Sequence, residues 1–273
     1  MNMKRLGLIV AAAVTIATSG WAQSESMRPL FVRENRFPET GKVELGSFFS
    51  YAQYDEYFIS QVNPKSYLDQ GYFAVDKEAK LKSTTIEPYA KYGLLDNLTV
   101  YSKVPFSVNQ SDTKGGNKAG LNDIAVGIEL LAYEYTYKYP WVIPYVEVTF
   151  PTGDDKEYMG LGKMDAIFGA AVGTTTFDKY TWVLDGRYDT NVGKNGRFEG
   201  AAAFIWALSD QFSVLAEAKV TEKEEGSTED VPVYFNGGMC YKPTENLSVN
   251  LYGGASANAE ENGRGTLKVA YSF

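Results

Sequence analysis

The chain reads as a series of short stretches in which apolar and polar residues alternate one for one. The last is the plainest. Between Gly265 and Phe273, Leu267, Val269, Tyr271 and Phe273 fall on one face, and Thr266, Lys268, Ala270 and Ser272 on the other. A period of two belongs to a strand with one greasy and one polar side. The same rhythm begins near Gly41, with Val43, Leu45, Phe49 and Tyr51 set against Glu44, Gly46 and Ser50. It returns in Ile124, Val126, Ile128 and Leu130 over Asp123, Ala125, Gly127 and Glu129. It is equally clear in Phe212, Val214, Ala216 and Ala218 over Ser213, Glu217 and Lys219. About twelve such strands are predicted between Gly41 and Phe273. Their connections alternate long and short, from the polar stretch Gln53 to Ala79 and the tight Leu94-Leu95-Asp96-Asn97 to a last loop at Asn258 to Gly265.

An even strand count, long loops on one side and short turns on the other predict an all-β fold: a closed antiparallel transmembrane β-barrel with extracellular loops and periplasmic turns. Ending on an alternating strand and an aromatic residue fits closure, because an open edge in lipid leaves backbone groups unsatisfied. Phe273 is then also the expected signal to the barrel-assembly machinery. A soluble β-sandwich would alternate within strands but has no reason to alternate its connection lengths. Pro88 and Pro144 cut against a closed wall, since each sits inside a predicted strand and cannot donate to a ladder.

The N-terminus adds a compartment. Lys4 and Arg5 precede an uncharged, mostly apolar run from Leu6 to Thr18, and Gly20-Trp21-Ala22 offers small residues for cleavage before Gln23. Residues 1–22 therefore read as a secretory signal, the run being too short for a comfortable membrane anchor. No later stretch reaches the ~18 consecutive apolar residues of a spanning helix. Residues 23–40 form a polar segment with one apolar patch, Leu30-Phe31-Val32, either a periplasmic lead-in or a plug folded into the lumen. Residues 41–273 are the barrel, a single domain. The only cysteine, Cys240, lies far from the cleavage site and permits neither lipid attachment there nor an internal disulfide.

Composition agrees with strands that face lipid on one side and water on the other. Mean hydropathy is only −0.26, while 20 Tyr, 15 Phe, 4 Trp and 26 Gly fit strands with aromatic girdles. Losing Lys4 and Arg5 with the signal takes the net charge from −8 to −10, which argues against nucleic-acid binding.

Several short motifs occur in order: Tyr92-Gly93-Leu94-Leu95-Asp96-Asn97-Leu98 running on to Val104-Pro105, Gly120-Leu121-Asn122-Asp123-Ile124, Phe150-Pro151-Thr152-Gly153-Asp154, and Gly160-Leu161-Gly162 with Asp165. In that order they resemble the outer-membrane barrel family named for the meta-pathway of phenol degradation, whose members are described as transporters. The resemblance covers roughly Ile86 to Gly173, with Asn122 where the family often has Gly. It implies an outer-membrane barrel that passes small, often aromatic or hydrophobic, molecules.

If the apolar face meets lipid, the other face lines the interior. The strand phase puts Glu44, Glu87, Asp123, Glu129, Glu147, Asp165, Asp185, Asp189, Glu199 and Glu217 there, with Lys91, Lys103, Arg187, Arg197, Lys219 and Lys268. An acidic surplus in a pore favours cations. The residues expected to line the lumen and set selectivity are Glu87, Asp123, Glu129, Glu147, Asp165, Asp185 and Glu217, with Arg187 as counter-charge. Lumenal Ala125, Gly127, Gly169, Gly173 and Ala203 leave room on one wall, which favours an open pore over charges that pair and fill the lumen. Catalysis is not expected. There is no histidine, so neither a Ser-His-Asp arrangement nor a His-ligated metal can form. No cofactor is implied. Asp154-Asp155 and the acidic loop Glu222 to Asp230 lack Ca²⁺-loop spacing and read as solvated loops. The expected function is an outer-membrane channel for small solutes with mild cation preference. The alternative is a closed structural or surface-interaction barrel working through its loops. The partners expected are outer-membrane lipid and a small-molecule solute.

Overall fold

The computed structural model describes residues 30–33, 37–54, 81–111, 117–132, 140–153, 162–190, 196–222, 231–257 and 261–273. The predicted signal, most of Gln53 to Ala79, Asp154-Asp155, and the acidic loop beyond Glu222 lie outside them. Among the described residues there are strands and turns but no helix. Fourteen ladder segments form one antiparallel sheet: β1 Val43–Tyr54, β2 Leu81–Leu95, β3 Leu98–Lys103, β4 Phe106–Ser111, β5 Lys118–Leu121, β6 Ile124–Leu130, β7 Trp141–Phe150, β8 Asp165–Thr176, β9 Tyr180–Asp189, β10 Arg197–Ala207, β11 Phe212–Thr221, β12 Val233–Tyr241, β13 Leu247–Ala257 and β14 Glu261–Ser272. β1 pairs with both β2 and β14, from Glu44↔Ser272 to Tyr54↔Glu261, so the sheet closes on itself. Phe273 completes the seam by donating its N–H to the carbonyl of Val43 at 2.9 Å. β3 with β4, and β5 with β6, are each one stave interrupted in the middle, which makes a closed barrel of twelve strands.

The two prolines sit at breaks in the ladders. β2 pairs with β3 below Pro88 and with β4 above it, and Val104-Pro105 falls in the gap. The carbonyl of Pro88 accepts from Val104 N at 3.0 Å. A residue's N–H and C=O point to the same neighbour in a strand, so the donor that Pro88 lacks faces the interrupted stave. Pro144 lies just past the last β6–β7 pair, Glu129↔Tyr145. Pairing resumes beyond Pro144, where Ala132 N donates to Val142 O at 3.0 Å, so this proline leaves a single gap opposite Leu130 while Pro88 faces a stave that is already interrupted.

Side chains follow the period of two. Leu45, Phe49, Val126, Ile128, Phe168, Leu184, Phe235 and Leu251 are exposed on the outer wall, while Glu44, Ala125, Glu129, Glu147, Asp185 and Glu217 are buried inside. Along β9 and β10 the outer face has Tyr180, Trp182, Phe204 and Trp206 in ring contact near the turns. Tyr188 and Phe198 meet near the loops, 4.7 Å between centroids. Leu184, Ala202, Gly186 and Gly200 lie between. Two aromatic belts around an aliphatic band match the two interfaces of a bilayer. One predicted loop is corrected: β14 starts at Glu261, so most of Asn258 to Gly265 is strand. At the turn end, Lys179 N donates to Thr176 O at 3.2 Å, with Phe177 and Asp178 both at positive φ, the hand that suits a hairpin's twist.

Candidate functional site

The lumen is occupied at its waist by the chain's own N-terminal segment. Leu30 N and Phe31 N donate to the two carboxylate oxygens of Glu217, at 3.2 and 2.9 Å. Arg33 N donates to Asp185 Oδ2 at 2.9 Å. An extended backbone without a sheet partner has its donors orphaned, and lumenal carboxylates from β9 and β11 satisfy them here.

Arg33 is the hub. Its Nη1 reaches Glu129 Oε1 at 2.8 Å and its Nη2 reaches Glu147 Oε2 at 3.2 Å. Nη2 also donates to the Tyr101 hydroxyl at 2.9 Å, and that hydroxyl donates onward to Glu147 at 2.6 Å. Lys91 pairs with Glu129 at 3.3 Å and Lys103 with Glu147 at 2.7 Å. The guanidinium lies 4.2 Å from the Tyr145 ring centroid, and Tyr145 donates to Asp185 at 2.8 Å. Glu129 is 1% exposed and Glu147 7%, so each charge depends on these partners. A buried pair stripped of one partner leaves an uncompensated charge, at about 3–5 kcal/mol.

Toward the turns the lumen turns apolar. Val32 packs with Leu131, Trp141, Ile143, Ala171, Val183 and Ala203. Leu30 lies against Ile205, Leu215, Cys240 and Tyr252. Burying Val32 contributes on the order of 1.5–3 kcal/mol, and half-buried Leu30 less. The segment leaves the barrel past Thr40, whose N–H and hydroxyl donate to Asp96 in the β2–β3 turn at 3.1 and 2.6 Å. Those two bonds hold the Asp96 carboxyl below its ordinary range.

Glycines taken as room on the wall are covered by rings. A Cβ on Gly127 would stand 2.2 Å from Tyr101 Cζ, one on Gly169 2.3 Å from Tyr145 Cζ, and one on Gly173 2.2 Å from Trp141 Cζ2. Each inward aromatic lies flat over a glycine of the next strand, so the space holds side chains and not solvent. Ala203 belongs to the cluster around Val32.

Of the predicted lumenal residues, Glu129, Glu147, Asp185 and Glu217 converge on residues 30–33. Glu87 faces the lumen near Lys103 and Lys268. Asp123 and Asp165 sit at the loop end, where Asp123 accepts from Gly153 N at 2.9 Å and Asp165 from the Thr190 hydroxyl at 3.0 Å. Arg187 binds Glu199 of the adjacent strand, with Nε at 2.6 Å. The counter-charges to Glu129 and Glu147 are therefore Arg33, Lys91 and Lys103. Arg33 was not foreseen; the acidic surplus of the lumenal face was the signal for a missing cation. Among the described residues no group of three or more metal-ligating side chains is assembled.

A closed antiparallel barrel with a lipid-type exterior, aromatic belts and a charged, self-filled lumen is the architecture of outer-membrane barrels. The chain belongs to the family described as "Putative MetA-pathway of phenol degradation", which it matches over residues 62–273. No curated protein sequence matches it significantly. Among solved structures it is similar to the COG4313 outer membrane channel from Pseudomonas putida F1, at 16% identity and a TM-score of 0.69, over 90% of this chain and 100% of that one. It is also similar to the translocator domain of the autotransporter NalP from Neisseria meningitidis, at 13% identity and TM-score 0.55, over 86% of this chain and 89% of that one. The KdgM porin in complex with disordered oligogalacturonate follows at 9% and 0.54, over 84% and 99%. At these identities the likeness is one of fold.

Proposed function

We propose that this protein is an outer-membrane channel for small solutes whose lumen is closed at the waist by its own N-terminal segment. The observation that supports it most is the seating of residues 30–33, held by Glu217, Asp185, Glu129 and Glu147 through hydrogen bonds and ion pairs. The segment is held across the lumen mainly by ion pairs and hydrogen bonds and belongs to no strand, which fits a barrier that can be released. Opening consists of withdrawing Arg33 and Val32. The four carboxylates then line the waist, and the cation preference expected from the acidic face belongs to that open state. With the segment in place they are compensated. The chain is exported by its signal, inserted in outer-membrane lipid, and recognised by the assembly machinery through the strand that ends at Phe273. The reading is one of passage and not of reaction, in keeping with a sequence that has no histidine.

Liposome swelling tests it. Proteoliposomes of the mature chain are expected to admit glycine or a small sugar slowly, and those lacking residues 23–36 at least several-fold faster. Equal rates from two equally folded barrels would overturn the assignment of the segment as the barrier.

A further inference from the structure

The seat of residues 30–33 leaves some of its own polar groups unserved. On the inward face, the hydroxyls of Thr99 and Thr221, the Trp141 indole N–H and both amide atoms of Asn250 are buried without a hydrogen-bond partner among the described residues. Each adjoins the seat. Asn250 stands across the ladder from Cys240 and two positions before Tyr252, both members of the cluster that Leu30 packs against. Thr221 lies two positions beyond Lys219, whose ammonium is 5.6 Å from the Phe31 ring centroid. Trp141 belongs to the cluster around Val32. Thr99 stands opposite Glu129, which holds Arg33. A buried polar atom without a partner costs free energy, and an ordered water is the usual remedy. The packing bars that remedy here. Asn250 and Thr99 are 0% exposed, so no space of water size touches either residue. An asparagine amide has two donor hydrogens and an acceptor oxygen, and none of them is used at Asn250. On the wall of a water-filled lumen the same groups would be hydrated.

We propose that these groups form a release device built into the barrel wall. Seating the segment desolvates them, and withdrawing it returns them to water, so the surface on which the barrier rests also biases it toward leaving. The ion pairs of Arg33 and the carboxylate bonds from Glu217 and Asp185 hold the segment in. Asn250 and Thr99, with Trp141 and Thr221, oppose them. The two sets act in opposite directions. Removing a latch group loosens the closure, whereas replacing a desolvated polar group by an apolar one of the same shape tightens it. The device rests on the reading of residues 30–33 as a releasable barrier.

Single-channel recording of the mature chain in a planar bilayer, with Asn250→Leu and Thr99→Val, tests it. Each variant, checked for heat-modifiable migration, is expected to spend about tenfold less time open than the parent, the ordinary cost of one unsatisfied buried group. Each is also expected to unfold at a higher urea concentration. In a chain lacking residues 23–36, the same substitutions are expected to leave the conductance as it is. Folded variants that open as often as the parent would refute the device. So would an equal loss of conductance without the segment, because the substitutions would then merely narrow the lumen. If one variant does not fold, the other decides; failure of both contradicts a stabilising change. A truncated chain that conducts no better than the full one removes the barrier and the device together. A truncated chain that conducts better, beside full-length variants that open like the parent, removes the device alone.

Discussion

Arg33 does with one side chain what a soluble core does with many. Its guanidinium joins β6 and β7 through Glu129 and Glu147 and stacks on Tyr145, while its backbone is held from β9 by Asp185. The rings around it are aimed by glycines. Tyr101 can lie where Arg33 and Glu147 both reach its hydroxyl only because Gly127 offers no Cβ. Gly127→Ala would push the ring off by contact with its rigid end. The expected cost is about 1–3 kcal/mol of barrel stability, read by urea unfolding in lipid vesicles, and the same change is expected to cost little when made in a Tyr101→Ala background, where there is no ring to displace. The inward phase of Glu129, Glu147, Asp185 and Glu217 was legible from alternation alone, because a strand's faces are set by parity. Arg33 was not, because residues 23–40 have no period and nothing local says which carboxylates they meet. The glycines were misjudged for a related reason: a missing side chain reads as space until the neighbouring strand's register shows which ring fills it.

At the scale of elements, the strands are specified by what surrounds them. Outer residues from Leu45 to Leu267 are apolar because they have no water to meet, and inner ones are polar or pack on the N-terminal segment. β9 illustrates the wall, with Trp182 and Tyr188 toward the two belts and Leu184, 65% exposed, between them. In lipid, Leu184→Arg is expected to cost about 2–4 kcal/mol. On a water-facing surface the same change would be nearly neutral. Unfolding of parent and variant in vesicles separates the two. The loop-end boundaries were the hardest to place, since β14 runs through Gly263 and Gly265, inside the stretch from Asn258 to Gly265 that reads as a loop. The prolines looked like objections because the sequence does not show that β2 exchanges partners from β3 to β4 at Pro88.

For the whole molecule, closure and filling are separate matters. The seam of β1 with β2 and β14 makes the barrel, and the twelve-strand count was visible in the spacing of alternating stretches. Whether the lumen is open depends on a short segment that belongs to no strand. With it seated, Arg33, Lys91 and Lys103 pair with Glu129 and Glu147, and the backbone of the segment bonds Asp185 and Glu217. With it withdrawn, the waist loses the charge of Arg33, and Asp185 and Glu217 lose their bonds to the segment, while Lys91 and Lys103 stay paired with Glu129 and Glu147. The two states therefore differ in charge as well as in bore, and one substitution separates them. Single-channel recording in a planar bilayer under a salt gradient, comparing the mature chain with Arg33→Gln, is the most direct measurement. The expected result is small or brief steps from the parent and larger, longer, cation-selective steps from the variant. A folded variant with the parent's conductance and selectivity would contradict the account.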